Sequence, residues 1–153
     1  MPTLADAETR TALLRRVRAL TPTARARWGK FTPPRMVGHL TESLRMALGE
    51  LPVDRKPVPW PVRHFPVRDL LIFVLPFPKG LPTAPELLTR GNEPSGAELA
   101  QEIAAFEAAL GRWPARDPAL PWPDHPAFGP LSARAWAVLQ FRHADHHFRQ
   151  FGI

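Results

Sequence analysis

The sequence predicts an all-α fold, namely a four-helix bundle with a short extra helix and long proline-rich connections. Apolar residues recur at spacings of three and four in four separate windows of the chain. A threonine or serine precedes three of these windows at the position of a helix N-cap. The 20 prolines among the 153 residues fall mostly in three blocks between the windows. Because proline disrupts helix interiors, the helices are confined to the windows.

Chain length and hydropathy favour one helical domain that spans residues 1–153. The chain can bury a sizeable core, but it is short for two domains, and it contains no internal repeat. Its longest apolar run, Leu70 to Phe77, is interrupted by Pro76 and is shorter than the roughly 20 residues that cross a bilayer. The N-terminus lacks the apolar segment of a secretory signal. We therefore expect a cytoplasmic protein without a membrane span.

The first two windows predict amphipathic helices. The first runs from about Leu4 to Leu20 and ends before Pro22, since the residue before proline avoids helical dihedrals. The second has Thr32 as its cap, continues to Leu48 and stops at Gly49. His39 lies near the edge of the apolar face of this second helix. Residues three, four and seven positions further on share its side: Glu42, Ser43 and Met46.

The middle of the chain is harder to predict. The apolar segment Arg68 to Leu75 fits a short helix or a strand, and we prefer the helix. The segment Pro76 to Pro94, rich in proline and glycine, is predicted to be an ordered loop with a functional role.

The last two windows carry the clearest helix signals. Ser95 opens a capping box with Glu98, which predicts a helix from Ala97 to Arg112. Ser132 caps a final helix from about Ala133 to Phe151. One side of that final helix is formed by four residues, with Gln140 and Gln150 adjoining them: Trp136, Leu139, His143 and His147.

The composition excludes several kinds of chemistry. The chain has no cysteine, so any metal must be held by histidine, aspartate or glutamate, and it has no tyrosine that could act as a general acid. The formal charge of +6 comes mostly from arginine. The arginines near the N-terminus lack the interleaved aromatic residues of a nucleic-acid stacking platform, and no nucleic-acid motif accompanies them. Nucleic-acid binding is therefore the least favoured function.

A histidine cluster in the final helix predicts a metal site. His143 and His147 are four residues apart, so both imidazoles lie on one helix face about 6 Å apart at Cβ. One divalent ion can bind both rings at about 2.0 to 2.1 Å. His146 offers a rival pairing with His143. We prefer His147, because it continues the line from Leu139 toward the core.

A third ligand is expected from another helix, and His39 is the candidate because an unpaired imidazole beside a core is costly. The alternative is that His39 is a hydrogen-bonded structural residue, and the histidines alone leave these two interpretations balanced. His64 and His125 lie among prolines and are interpreted as loop residues with backbone partners.

Glu42 and His146 are the candidate catalytic residues. Glu42, one turn beyond His39, could orient an imidazole or accept a proton, although a solvated helix face is the slightly favoured interpretation. His146 could relay a proton. Three cations are candidates for receiving an anionic substrate group: Arg142, Arg149 and Lys79.

Three ordered blocks of sequence resemble one family. The tail HPAFGPLSARAWAVLQFRHADHHFRQFGI, the helix RWGKFTPPRMVGHLTESLRMALGE and the loop PFPKGLPTAPELL are similar to the DinB/YfiT-like superfamily of bacterial proteins. The resemblance implies a four-helix bundle in which a divalent ion, such as nickel, zinc or iron, is held by His39, His143 and His147. The first proline-rich loop, LPVDRKPVPWPVRHFP, follows no pattern of the family.

The resemblance also suggests a reaction, because some members are S-transferases that use bacillithiol or mycothiol. We therefore expect a metal-dependent transferase or hydrolase whose partner is a small-molecule substrate such as a low-molecular-weight thiol. The alternative is a non-enzymatic, metal-stabilised helical binding or stress-response module. Related bundles often pair, so a homodimer is compatible with the sequence, although no apolar stripe requires one.

Overall fold

The computed structural model describes residues 1–80, 83–92 and 95–153, and it confirms the all-α prediction. Its helices are α1 (Ala7–Arg18), α2 (Pro33–Leu48), α3 (Val67–Phe73), α4 (Gly96–Arg112) and α5 (Ala133–Phe151). The described residues contain no β-strand, and an isolated bridge pairs His125 with Gly129. Within the predicted 76–94 loop, residues 81, 82, 93 and 94 lie outside the described residues.

The predicted caps determine where the functional helices begin and end. Thr32, Ser95 and Ser132 each accept a hydrogen bond from the backbone N–H three residues later, at 3.4, 3.1 and 3.2 Å. Gly49 and Gly152 end α2 and α5 in the left-handed region, at φ of 81° and 79°. The boundaries of α2 and α5 therefore follow from local sequence signals.

The four long helices pack around a common apolar core. α1 and α2 each contact both α4 and α5. Among the largest fully buried side chains are Trp136 and Phe148 of α5, Phe106 of α4 and Met36 of α2. Nearly every residue of α2 is buried, including His39, Thr41, Glu42 and Ser43. Since polar groups are costly to bury without partners, α2 is where paired functional groups are expected.

The short helix α3 is held against α5 by a partly buried arginine. The Arg142 guanidinium donates hydrogen bonds to the carbonyl oxygens of Leu71, Ile72 and Leu75. Burial lowers the pKa of Arg142. Arg142 thus caps the C-terminal end of α3. Its guanidinium group therefore has a structural role. None of the described helices combines the length and the hydrophobicity that a bilayer crossing requires.

Candidate metal centre

Three histidines from two helices meet at one point between α2 and α5. His39, His143 and His147 each offer a ring nitrogen, and these nitrogens all lie within 4.8 Å of one another. The ring centroids are 4.8 to 5.1 Å apart. His39 and His147 are buried, while His143 is partly accessible. The structure therefore brings together the three residues that the sequence predicted, and they form a group that could hold a metal ion.

His39 is oriented by the backbone of the loop before α4. Its Nδ1 lies 3.1 Å from the carbonyl oxygen of Leu87. A carbonyl oxygen only accepts, so Nδ1 carries the proton and donates. The Nε2 atom of the neutral ring consequently carries a lone pair and faces the other two histidines.

His147 is oriented by a glutamine on its own helix. The Gln150 amide group donates through Nε2 to the carbonyl oxygen of Trp28, at 2.5 Å. Its Oε1 therefore faces His147 and accepts from Nδ1 at 2.8 Å. This chain of two hydrogen bonds leaves the lone pair of His147 on Nε2.

His143 is oriented by a hydroxyl group from α2. The Ser43 hydroxyl donates to Gln140 Oε1 at 3.1 Å, so its oxygen accepts from His143 Nδ1, also at 3.1 Å. All three rings are thus fixed with a protonated Nδ1 and an unprotonated Nε2. Partners of this kind on the outer nitrogen are typical of metal-ligating histidines.

The distance between two of these ring nitrogens is compatible with a cation bound between them. His39 Nε2 and His143 Nε2 are 3.0 Å apart. Two lone pairs at this distance repel each other, whereas a cation between them turns repulsion into coordination. Nitrogens that bind one ion at about 2.1 Å in adjacent positions lie about 3.0 to 3.4 Å apart, which matches the observed separation.

Burial keeps the three imidazoles neutral, which is the form that binds metal. Loss of solvation lowers the pKa of His39 from 6.5 to about 4, although the hydrogen bond to Leu87 partly opposes this. Burial, followed by the proximity of His39, lowers the pKa of His147 to about 3. The pKa of His143 falls well below its ordinary value for the same two reasons, with His147 adding to the effect. Because protonation of these rings is disfavoured, a metal ion is favoured over a proton in the space between their Nε2 atoms.

Glu42 is buried, so its interpretation as a residue on a solvated helix face is wrong. Its side chain is 1% exposed, and its carboxylate lies 3.3 Å from Arg45 and 3.9 Å from Arg90. Arg90 also contacts the buried carboxylate of Glu102, at 2.8 Å. Arg90 therefore ties the loop that carries Leu87 to α2 and α4, and Glu42 contributes to this anchor. A role for Glu42 in catalysis stays a prediction.

His146 lies next to the three-histidine group at the accessible edge of the site. Its ring centroid is 5.2 Å from that of His147 and 5.6 Å from that of Trp28. Burial and then the charge of Lys79 lower its pKa. The Lys79 ammonium lies 4.3 Å from the centroid of Trp28, so it is the predicted cation that lies beside the site. By contrast, Arg149 pairs with Asp145 at 2.9 Å.

The two loop histidines have the backbone partners that the sequence predicted. His64 Nδ1 donates to the carbonyl oxygen of Trp60 at 2.8 Å. His125 Nδ1 accepts from the backbone N–H groups of Ala127 and Phe128, both at 3.1 Å. Neither belongs to the three-histidine group.

Several contributors to the site were not predicted. Phe31 packs against the rings of His39 and His147, with centroids 5.3 and 5.5 Å away. The Leu87 carbonyl and the Trp28 carbonyl are backbone groups, which no side-chain pattern reveals. The spacing of three between Gln140 and His143 and between His147 and Gln150 placed the two glutamines on the correct side, but did not indicate their hydrogen bonds.

Comparison with known proteins gives one family match. Residues 79–152 match a family described as "Protein of unknown function (DUF1569)". The matched region contains α4, α5, His143 and His147, whereas His39 lies outside it. No curated protein and no solved structure matches the chain.

The metal-free protein is expected to lose stability as the pH falls from 7.5 to 5.5. The imidazoles of the unfolded chain take up protons near their ordinary pKa of 6.5, whereas His39 and His147 stay neutral until about pH 4 and about pH 3. The unfolded state then binds more protons, so the stability present above pH 6.5 is lost on acidification. Each such histidine contributes about 1 kcal/mol over this interval. Urea denaturation of chelator-treated protein at the two pH values measures the loss.

The variant His39→Gln serves as the control, because glutamine keeps a donor for Leu87 but does not titrate. Its free energy of unfolding should change less with pH than that of the unmodified protein. Equal stability of the unmodified protein at both pH values would contradict the pKa shifts.

Proposed function

We propose that this protein binds one divalent metal ion through the Nε2 atoms of His39, His143 and His147, and that it is a metal-dependent enzyme of the transferase or hydrolase type. The observation that carries the proposal is the 3.0 Å separation of two unprotonated nitrogens, His39 Nε2 and His143 Nε2. The resemblance of three sequence blocks to the DinB/YfiT-like superfamily supports the same ligand set.

The chemistry of the donor set fits a borderline divalent ion. Imidazole nitrogen suits zinc, nickel and iron, and the three rings supply the usual number of protein ligands for a catalytic site. All three ligands are neutral, and their outer partners are a carbonyl, a hydroxyl and an amide. The nearby carboxylate of Glu42 is paired with arginine. The protein would therefore leave the positive charge of the ion largely uncompensated.

An ion held by His39, His143 and His147 would lower the pKa of a bound water or thiol and would so supply a nucleophile at neutral pH. The surrounding residues shape access to that position. Phe31 packs against the ring of His39 and Phe77 lies beside that of His143, while the partial exposure of His143 leaves one side open. Burial and then the charge of Lys79 lower the pKa of His146 at this open side, which favours the neutral ring, the form in which one ring nitrogen has a lone pair available to accept a proton.

The cation at the open side favours an anionic co-substrate. Lys79 is exposed and lies over Trp28, which in turn contacts His146. A low-molecular-weight thiol that carries carboxylates would pair its charge with Lys79 while its sulfur reaches the histidine group. An anionic ester for hydrolysis would meet the same charge, so Lys79 supports an anionic substrate for either reaction. The alternative is a non-enzymatic module in which the ion only cross-links α2 and α5.

Metal analysis tests the ligand set. Protein purified without a histidine tag should contain one equivalent of a divalent metal. Loss of an outer hydrogen-bond partner lowers metal affinity about 10- to 100-fold. Removal of a ligand should lower the affinity further, and three variants each remove one: His39→Ala, His143→Ala and His147→Ala. Elemental analysis and titration with zinc measure the effect.

The matched control for these variants is His64→Ala, which removes an exposed loop histidine and should leave the metal content unchanged. Circular dichroism checks whether each variant remains helical. Full metal loading of His39→Ala would rule out the proposed ligand set.

The outer partner of His147 is tested by Gln150→Ala. This change removes the acceptor for Nδ1 and frees the ring to rotate or change tautomer, so the affinity for zinc should fall about 10- to 100-fold. Competition with a chelating dye measures the affinity. Gln101→Ala removes an exposed glutamine from α4 and should have no effect. An unaltered affinity in Gln150→Ala would show that the hydrogen bond does not position His147.

Thiol transfer is tested with metal-loaded protein, bacillithiol or mycothiol, and monochlorobimane as the electrophile. Turnover forms a carbon–sulfur bond, breaks the carbon–chlorine bond, and releases chloride and a proton. Lys79→Gln should raise the KM for an anionic thiol several-fold with little change in kcat, because it removes a binding charge. Arg15→Gln removes an exposed charge from α1 and is the control. Metal-loaded protein with no turnover of thiols or ester substrates would leave the non-enzymatic module as the function.

A further inference from the structure

A cavity lies apart from the three-histidine group, between the first proline-rich loop and the segment before α5. Its volume is about 290 Å³. It is lined by two arginines and a histidine, together with one carboxylate and two apolar side chains: Arg55, Arg63, His64, Asp124, Val53 and Phe128. None of these residues belongs to the three-histidine group or holds its rings. The volume is close to the lower limit of about 300 Å³ for small-molecule sites.

Arg63 is the best-positioned cation of this cavity. Its Nη2 donates to the carbonyl oxygens of Lys56 and Pro126, at 2.9 and 2.8 Å, which joins the two walls and fixes the guanidinium group. Arg63 is partly buried, and no carboxylate of the described residues lies within 4.0 Å of it. An anchored, partly desolvated guanidinium with N–H groups to spare favours an anionic ligand.

Exposed aromatic surface adjoins His64, which is one of the residues that line the cavity. Trp60 stacks on His64 with ring centroids 4.1 Å apart and an interplanar angle of 19°. Trp60 is 71% exposed and its neighbour Phe65 is 79% exposed. Seven large apolar side chains are exposed in the described residues, and five of them lie between positions 60 and 75. Such a concentration of exposed apolar groups marks a binding surface.

The charges of the lining favour a monoanion. Arg55 and Arg63 contribute two positive charges and Asp124 one negative charge, so these three side chains together carry a net charge of +1. A carboxylate balances this charge and accepts charge-assisted hydrogen bonds from the N–H groups of Arg63 other than Nη2 and from Arg55. A phosphate monoester, which carries close to two negative charges, would be opposed by Asp124.

We propose that this cavity binds a small aromatic or branched monocarboxylate. The carboxylate pairs with Arg63 and Arg55, and the apolar body packs against Val53, Phe128 and the ring of His64. The proposal does not depend on the metal centre, since the two sites share no residue.

Isothermal titration with benzoate tests the proposal. The intact protein should bind benzoate, while benzyl alcohol, which has the same ring without the charge, should bind at least tenfold more weakly. Arg63→Gln and Arg55→Gln should each weaken benzoate binding about tenfold or more. Arg55 is exposed and Arg55→Gln should fold normally even if loss of the Arg63 hydrogen bonds destabilises the loop. Arg15→Gln, with the same loss of charge on α1, should bind like the intact protein.

Three results would overturn the proposal: no heat of binding with benzoate, equal affinity of Arg55→Gln and the intact protein, or tighter binding of inorganic phosphate than of benzoate. Zinc binding by Arg55→Gln should be unchanged. This readout separates failure at the cavity from failure at the three-histidine group.

Discussion

The structure depends on the hydrogen bonds that hold a proton on the Nδ1 atom of three buried imidazoles. Each bond fixes both the orientation and the tautomer of a ring, so each Nε2 lone pair points into the same small space. The partners come from different parts of the chain: a backbone carbonyl at Leu87, a hydroxyl at Ser43 and an amide at Gln150. The site therefore forms only when the loop before α4, α2 and α5 are all in place.

This requirement explains the unusual character of α2. A helix that is buried on nearly all sides is normally apolar, yet α2 carries His39, Glu42 and Ser43 in the interior. Each of these groups has a partner, so the cost of burying it is offset. The loop before α4 is tied to this buried helix by Arg90, which bridges the buried carboxylates of Glu42 and Glu102. Arg90 lies only three residues from Leu87, whose carbonyl oxygen orients His39. The buried charges thus position a backbone atom that orients a histidine.

Local signals predicted more of the fold than of the site. Helix α5 begins and ends where its serine cap and terminal glycine indicate, and the spacing of His143 and His147 places them on one face. Whether His39 meets them depends on the packing angle between α2 and α5, which no local sequence pattern determines. Glu42 was misjudged for the same reason: periodicity placed it at the edge of the apolar face, and contact between α2 and α4 buried it. The cavity was missed because its segment follows no recognised pattern and its ligand-facing groups meet only through tertiary contacts.

The arginine-rich composition also becomes interpretable once the contacts are known. Arg16, Arg18 and Arg112 pair with carboxylates on other elements, at Asp145, Glu107 and Glu50. Arg142 and Arg116 donate to backbone carbonyl oxygens. These arginines join helices and loops, so the net charge of +6 does not by itself indicate a polyanionic partner. Arg63 also donates to neutral carbonyl oxygens, but it differs from Arg142 and Arg116 because it lines a cavity. The position of an arginine at a cavity, rather than the number of arginines, is what points to a ligand.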